Sequence, residues 1–178
     1  MAASSSIINR QRRVSVRIGT YRAFIFRLAR ELHVARRRFD VTLIDDREAE
    51  RLNRLFRKKA APTDVLSFPW NDPAEATAGF GRAAKEFAGY LGDIVISAEA
   101  ARRNARQEKH SLETEIQQLT LHGLLHLLGY DHEMDDGEMN RLELKLRRRM
   151  GIEGRKSPAG SRSSLSRRAT RVHTKSIR

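Results

Sequence analysis

The sequence predicts one α/β domain of the α+β-like kind, a four-stranded mixed sheet with one antiparallel strand packed on about five helices. Three observations predict it. A chain of 178 residues is long enough for one domain with a real core and too short for two ordinary ones. Strand-like and helix-like stretches follow in the order β-α-β-α-β-β-α-α-α. Two of those strands succeed each other without a helix, which points to one antiparallel neighbour in the sheet.

Each element has its own warrant. Residues 14–18 (VSVRI) alternate apolar and polar, as a short strand does. Thr20 can cap a helix that buries Phe24, Leu28 and Leu32. Residues 39–44 form a second strand. Asp45 or Asp46 can cap a helix to about Arg57, with Ala49, Leu52, Leu55 and Phe56 on its buried side. Pro62 stops the helix, residues 64–68 form a third strand, and Pro69 ends it. Residues 71–90, with Asn71, Pro73, Gly79, Gly81 and Gly89, read as a loop with a helical turn near 82–88. Residues 91–96 are apolar enough for a strand buried on both faces. Ser97 caps a helix to about Lys109, and Ser111 caps the next, with Glu113 and Glu115 near its positive end. Asp135 or Asp136 can cap a last helix to about Met150, ended by Gly151. Its Met139, Leu142, Leu146 and Met150 recur at helical spacing as core.

The most informative stretch is residues 120–132, TLHGLLHLLGYDH. It holds three of the six histidines. His122 and His126 are one helical turn apart and share a face. Gly129 can take a left-handed conformation, end the helix and swing His132 back toward them. Three neutral imidazoles on one ion leave a fourth position open, as in catalytic zinc sites. Leu121, Leu124, Leu125 and Leu128 carry no chemistry and belong to the core. The spacing is similar to the HExxHxxGxxH pattern of metzincin proteases, but Gly123 stands where those enzymes carry their general base. That argues against peptide hydrolysis and leaves the metal untouched.

HGLLHLLGYDH resembles the signature of the YbeY family of metal-dependent endoribonucleases of ribosomal RNA maturation. The stretches LNRLFR (residues 52–57), PTDVLSFP (residues 62–69) and LGDIVI (residues 91–96) match the same family, as do Met139 and Glu143. The likeness covers roughly residues 14–150. It implies a zincin-like metal helix and makes the strand at residues 64–68 the antiparallel edge, bordering the metal cleft. It implies one Zn2+ per chain, or another divalent transition metal, held by His122, His126 and His132. It makes Arg57 and His122 the catalytic residues, because a guanidinium fork binds two phosphodiester oxygens. Asp64 and Asp131 are candidates for orienting an imidazole, and Asp93 is a structural partner at a strand start. His33, His110 and His173 receive no role. The implied partners are ribosomal RNA in a pre-30S particle, a small-subunit ribosomal protein and the Era GTPase. The implied work is 3′-end processing of small-subunit RNA and ribosome quality control in the cytoplasm.

Composition sets the surroundings. There is no cysteine, hence no disulfide framework and no thiolate metal site, which fits a reducing cytoplasm. No apolar run approaches the roughly 20 residues of a membrane span. The start, MAASSSIINRQRR, lacks the apolar core of a secretory signal, while the lack of acids before Glu31 leaves a transit peptide open. Residues 151–178 carry eight Lys/Arg against one Glu, and residues 1–13 three Arg and no acid. Of the net charge of +13, only +3 is left for residues 14–150. The division is a basic arm at 1–13, the domain at 14–152 and a basic tail at 153–178, expected to be disordered and to meet phosphates. Two other readings compete with the ribonuclease: a metallohydrolase of another substrate class, and a non-catalytic assembly factor with a structural metal. Gly123 weighs against the first, and a three-histidine set with no fourth protein ligand weighs against the second.

Overall fold

A computed structural model of the chain describes residues 5–57, 63–70, 89–130 and 136–154. Among them the order is β1 (Ser6–Asn9), α1 (Gly19–Glu31), β2 (Arg38–Ile44), α2 (Asp46–Arg57), β3 (Val65–Pro69), β4 (Tyr90–Ser97), α3 (Ala98–Gln107), α4 (Leu112–Leu127) and α5 (Glu138–Met150). The four strands lie in the order β1-β2-β4-β3. β1 pairs parallel with β2, β2 parallel with β4, and β3 antiparallel with β4. The expected mixed sheet with β3 as its antiparallel edge is therefore present.

Strand parity sorts the sheet's two faces. Ile7, Val41 and Ile94 are register partners across the three parallel strands, and Ser67 of β3 lies opposite Ile94. This face, with Phe39, Leu43, Ile96 and Val65, is almost wholly buried. It meets α4, whose Leu121, Leu124 and Leu125 are fully buried. The other face carries Asp40 opposite Asp93, Thr42 opposite Val95, and Phe68, all half-buried. Asp93 is thus a sheet residue on the side away from the histidine helix. Burial and the neighbouring Asp40 raise its pKa, against the opposing pull of Tyr90 and Arg38.

The first strand corrects the sequence reading. It lies at Ser6–Asn9, inside the stretch taken as a basic arm, and residues 14–18 are not a strand. Asp40 accepts from the Ser6 amide at 3.0 Å and the Ser6 hydroxyl at 2.7 Å, fixing the edge pairing. The backbone of Val14 is met by a side chain instead: the Gln11 amide donates to its carbonyl at 2.9 Å and accepts from its N–H at 2.8 Å. The alternation there reports burial of Val14, Val16 and Ile18 against the core, not ladder pairing. α2 also differs. It buries Ala49 and Asn53, while Leu55 and Phe56 are exposed. Thr20 does not cap α1; Ile18 occupies that position, and the Thr20 hydroxyl donates back to the Arg17 carbonyl. α3 stops at Gln107, two residues short of the expected Lys109. α5 is entered through Gly137 at φ 80° rather than through Asp136, and Asp135 lies outside the described residues. The loop expected at 71–90 falls outside them up to residue 88.

The helices α2 and α3 start side by side because Ile44 and Ser97 end neighbouring parallel strands in register. Their first turns cap each other. Asp45 accepts from the Glu48 amide at 2.8 Å, as the sequence suggests, and Ser97 accepts from the Ala100 amide at 3.1 Å. Ser97 donates to Asp46 at 2.6 Å, and Glu99 accepts from the Asp46 amide at 3.0 Å. Arg103 closes the group with two hydrogen bonds to Asp46, at 2.5 and 3.2 Å. Partial burial would raise the Asp46 pKa, but the bonds from Arg103 and Ser97 outweigh it and hold the carboxyl below its ordinary value. A depressed carboxyl contributes stability above its unfolded pKa and loses it as pH falls through the folded one. Asp46→Asn should therefore cost about 1 kcal/mol at pH 7. In urea melts the gap between variant and wild type should close below the ordinary carboxyl value of 3.8. A gap as wide at pH 3 as at pH 7 would show that the charge is not what matters.

Candidate metal centre

Ser111 caps α4 by accepting from the Thr114 amide at 3.0 Å. The helix then runs from Leu112 to Leu127. Its end is a Schellman motif: the Gly129 amide donates to the His126 carbonyl at 3.0 Å and the Tyr130 amide to the Leu125 carbonyl at 3.1 Å. Gly129 has φ 91°, a conformation that favours glycine, so the reversal expected from the sequence occurs here.

The turn has a direct consequence for the histidines. It folds the Tyr130 carbonyl onto His126, whose Nδ1 lies 2.8 Å away. A carbonyl only accepts, so Nδ1 carries the proton and Nε2 presents its lone pair. His122 is set in the same way from another element. Its Nδ1 is 3.1 Å from Glu143 of α5. Burial would push the Glu143 carboxyl up, but His122 and Arg147 outweigh it and hold it at about 2. Glu143 is therefore an anion that accepts from both. In its neutral form His122 likewise turns its Nε2 lone pair toward His126, and the two Nε2 atoms face each other at 3.1 Å.

Two lone pairs aimed at one another repel unless a proton or a metal cation sits between them. Nitrogen ligands at about 2.0–2.1 Å from one tetrahedral ion lie about 3.3–3.4 Å apart, close to what is seen. Proton-bearing Nδ1 atoms held by a carboxylate and a carbonyl are the usual supports of ligating imidazoles. The donor chemistry thus fits a borderline divalent ion such as zinc. The third expected ligand, His132, and the neighbouring Asp131 lie outside the described residues. Among the described residues no group of three or more His, Cys, Asp or Glu converges on an ion site.

The remaining candidates fall as follows. Asp64 accepts from Asn104 at 3.0 Å, and its carbonyl accepts from the Ser97 amide at 2.9 Å. It ties β3 to α3 and β4 rather than orienting either described imidazole. Arg57 ends α2, and its side chain lies outside the described residues. The preceding Phe56 packs edge-on against Phe68 of β3, with ring centroids 5.0 Å apart. On the opposite face of that strand, Ser67 donates to the Gly123 carbonyl at 3.2 Å. The helix end bearing Arg57 and the histidine helix therefore brace the same edge strand from its two sides. His110 is engaged elsewhere, 2.6 Å from the fully buried Glu115. His33 lies at the end of α1, and His173 is outside the described residues. Sequence reasoning noted Glu143 only as part of a likeness and missed Tyr130, whose contribution is a backbone carbonyl.

Gly123 has a steric reason. A Cβ there would lie 2.7 Å from Ile94 Cγ2 and 3.1 Å from the Ser67 hydroxyl. The space that any side chain at this position would first enter is taken by Ile94 of β4 and Ser67 of β3.

A family model described as Endoribonuclease YbeY matches residues 6–151. A protein named endoribonuclease YbeY from Solibacter usitatus is 46% identical over 114 residues, 64% of this chain and 67% of the relative. One of the same name from Aquifex aeolicus is 50% identical over 95 residues, 52% of this chain and 55% of the relative. A third, from an Anaeromyxobacter species, is 41% identical over 145 residues, 80% of this chain and 66% of the relative. The solution structure of TM1509 from Thermotoga maritima aligns at a TM-score of 0.49 and 25% identity, covering 90% of this chain and all of that one.

Two outcomes follow from the geometry. Glu143→Gln keeps the shape and removes the charge behind His122, so it should weaken zinc binding about 10–100-fold in a chelator competition. Affinity equal to wild type would detach Glu143 from the site. Gly123→Glu should not install a protease base. It should instead lower stability by more than about 3 kcal/mol, since it forces a charged side chain into the helix–sheet contact. A folded variant that cleaves casein would overturn this account of Gly123.

Proposed function

This chain belongs to the endoribonuclease YbeY family, and on that premise we propose that it is a single-strand-specific, metal-dependent endoribonuclease acting on ribosomal RNA. The observation that carries the reading is the facing pair of Nε2 atoms, each oriented by a separate element. His122 and His126, with His132, would hold a zinc ion. Such an ion supplies Lewis acidity toward a phosphodiester. Arg57 binds the scissile phosphate through two of its oxygens, which an ammonium cannot do as well. Its place supports this role, because Phe56 fixes the end of α2 against the strand that α4 touches from the other side.

With Gly123 in place of a carboxylate, the proton of the attacking group has no acceptor at that position. Attack by the RNA 2′-hydroxyl and attack by water then differ in their products, since the first leaves a 2′,3′-cyclic phosphate. Within the family resemblance, the substrate is the 3′ end of small-subunit RNA in a pre-30S particle. A small-subunit ribosomal protein and the Era GTPase are the partners, and the compartment is the cytoplasm. No helix among the described residues is long and apolar enough to cross a membrane.

The direct test is metal analysis of the purified protein, with RNA cleavage assayed before and after chelation. Cleavage should vanish on chelation and return with zinc; cleavage that survives complete metal removal would end the proposal. Arg57→Ala should lower turnover about 10²–10³-fold, with metal content and melting temperature nearly unchanged. Arg57→Lys should recover only part of it. A solvated arginine in this place would change stability by less than about 0.5 kcal/mol and leave turnover alone.

A further inference from the structure

The mildly basic body hides a concentrated patch. Between the ends of α1 and α5 lies a cleft of about 750 Å³, lined by Arg27, Arg30, Arg148 and Arg149 with Glu31 as its one acid. Its four arginines against one glutamate equal the net +3 of residues 14–150 as a whole. A second groove shares Arg148 and Arg149 and adds Arg141, Lys145 and Leu144. Positions 141, 145, 148 and 149 form a single stripe on α5, about 12 Å long at about 1.5 Å per residue. Glu143 lies two residues, about a 200° turn, from both Arg141 and Lys145. The stripe is therefore on the back of α5, about a helix diameter from the histidines.

Cations near a helix C-terminus can be there for the helix alone. Two of these side chains are already engaged within the fold. Arg27 donates to the Met150 carbonyl at 2.9 Å, and Arg149 pairs with Glu31 at 2.8 Å. The others are less engaged. The Arg148 side chain is 70% exposed, with Glu153 at 3.4 Å, and Lys145 and Arg30 are exposed. Arg36 and Arg37, just beyond the end of α1, are exposed as well. The eight Lys/Arg of residues 151–178 follow α5 directly in the chain.

We infer that the back of α5 and the cleft beside it are a second RNA-backbone surface, which holds a part of the substrate remote from the bond that is cut. The inference rests on RNA being the substrate. A row of cations with only scattered apolar residues, Leu144 on the stripe, Met150 in the cleft and Phe26 beside Arg30, suits regularly spaced phosphates and lacks the broad apolar face that a membrane surface requires. Long RNA wraps around α5, from the histidines on its inner side to the arginines on its outer side.

The test uses the full chain carrying Arg30→Gln, Lys145→Gln and Arg148→Gln together. Binding of a fluorescein-labelled single-stranded RNA of 20 or so nucleotides is followed by anisotropy in EDTA over a range of salt. Each lost phosphate contact should flatten the log–log salt slope by about 0.7, so about 2 in all, and affinity at low salt should fall at least tenfold. KM for cleavage of the same RNA should rise in step, with the melting temperature held. An unchanged slope and affinity would overturn the inference and return these side chains to solvent. A loss of kcat as large as the rise in KM would also overturn it, by placing them in the chemistry. So would tighter binding of a polyglutamate peptide than of RNA. If the wild-type chain binds RNA, loses that binding in the variant and cuts nothing, the surface stands and the ribonuclease reading fails.

Discussion

At Gly123 the backbone of α4 comes near enough to the sheet for Ser67 to reach its carbonyl, and for a Cβ to collide with Ile94. That close approach sets the depth of the whole helix. With it, Leu121, Leu124 and Leu125 are driven fully into the apolar face of β2, β3 and β4. Burying side chains of this size stabilises a fold by about 1.5–3 kcal/mol each, so the contact is also where much of the core energy resides. His122 lies beside Gly123 in the chain, and His126 one turn further on. The register of the helix against the sheet thereby decides where both imidazoles stand. A residue that looks like a missing catalytic group is thus the packing condition for the site.

Much of this was legible in the sequence for identifiable reasons. Ser97, Ser111 and Asp45 cap the helices they precede, because capping is local chemistry written in adjacent residues. Gly129 ends α4 because a left-handed turn favours glycine. The facing of His122 and His126 follows from helical period alone. What stayed hidden depends on distant partners or on backbone atoms. Glu143 supports His122 across 21 residues of chain, and nothing at position 143 announces it. Tyr130 acts through a carbonyl, which every residue has. The β1 strand is four residues in a polar, basic stretch, and its pairing is set by Asp40. Residues 14–18 have the strand pattern without the strand, since Gln11 satisfies Val14 in place of a neighbour. In α2, the hydrophobicity of Leu55 and Phe56 points inward, but Ala49 and Asn53 hold the inner face. Phe56 instead meets an aromatic partner across the strand edge.

The charges divide into two kinds. Those near the helix starts of α2 and α3 are ordered, mutually hydrogen-bonded and few. Those around the ends of α1 and α5 are many, largely exposed and mostly of one sign. The first kind fixes the fold; the second makes a field that screening by salt weakens within about 10 Å at 0.1 M. A chain with a body this near neutrality can therefore be strongly basic in one region without much cost to its stability.

In the proposed site, the turn that closes α4 would tie the order of a helix end to ion occupancy. The carbonyl that steers His126 belongs to the residue whose amide closes the Schellman motif. Fraying of that last turn would release the imidazole, and loss of the ion would remove one reason for the turn to persist. With an ion bound, the two events would be thermodynamically linked, and the ion would shift the local opening equilibrium as well as the global one. Hydrogen exchange at the Gly129 and Tyr130 amides would then report ion binding, slowing on saturation while amides in the middle of the sheet change little. If the proposed ion binds there, the end of this helix would serve as a built-in gauge of its occupancy.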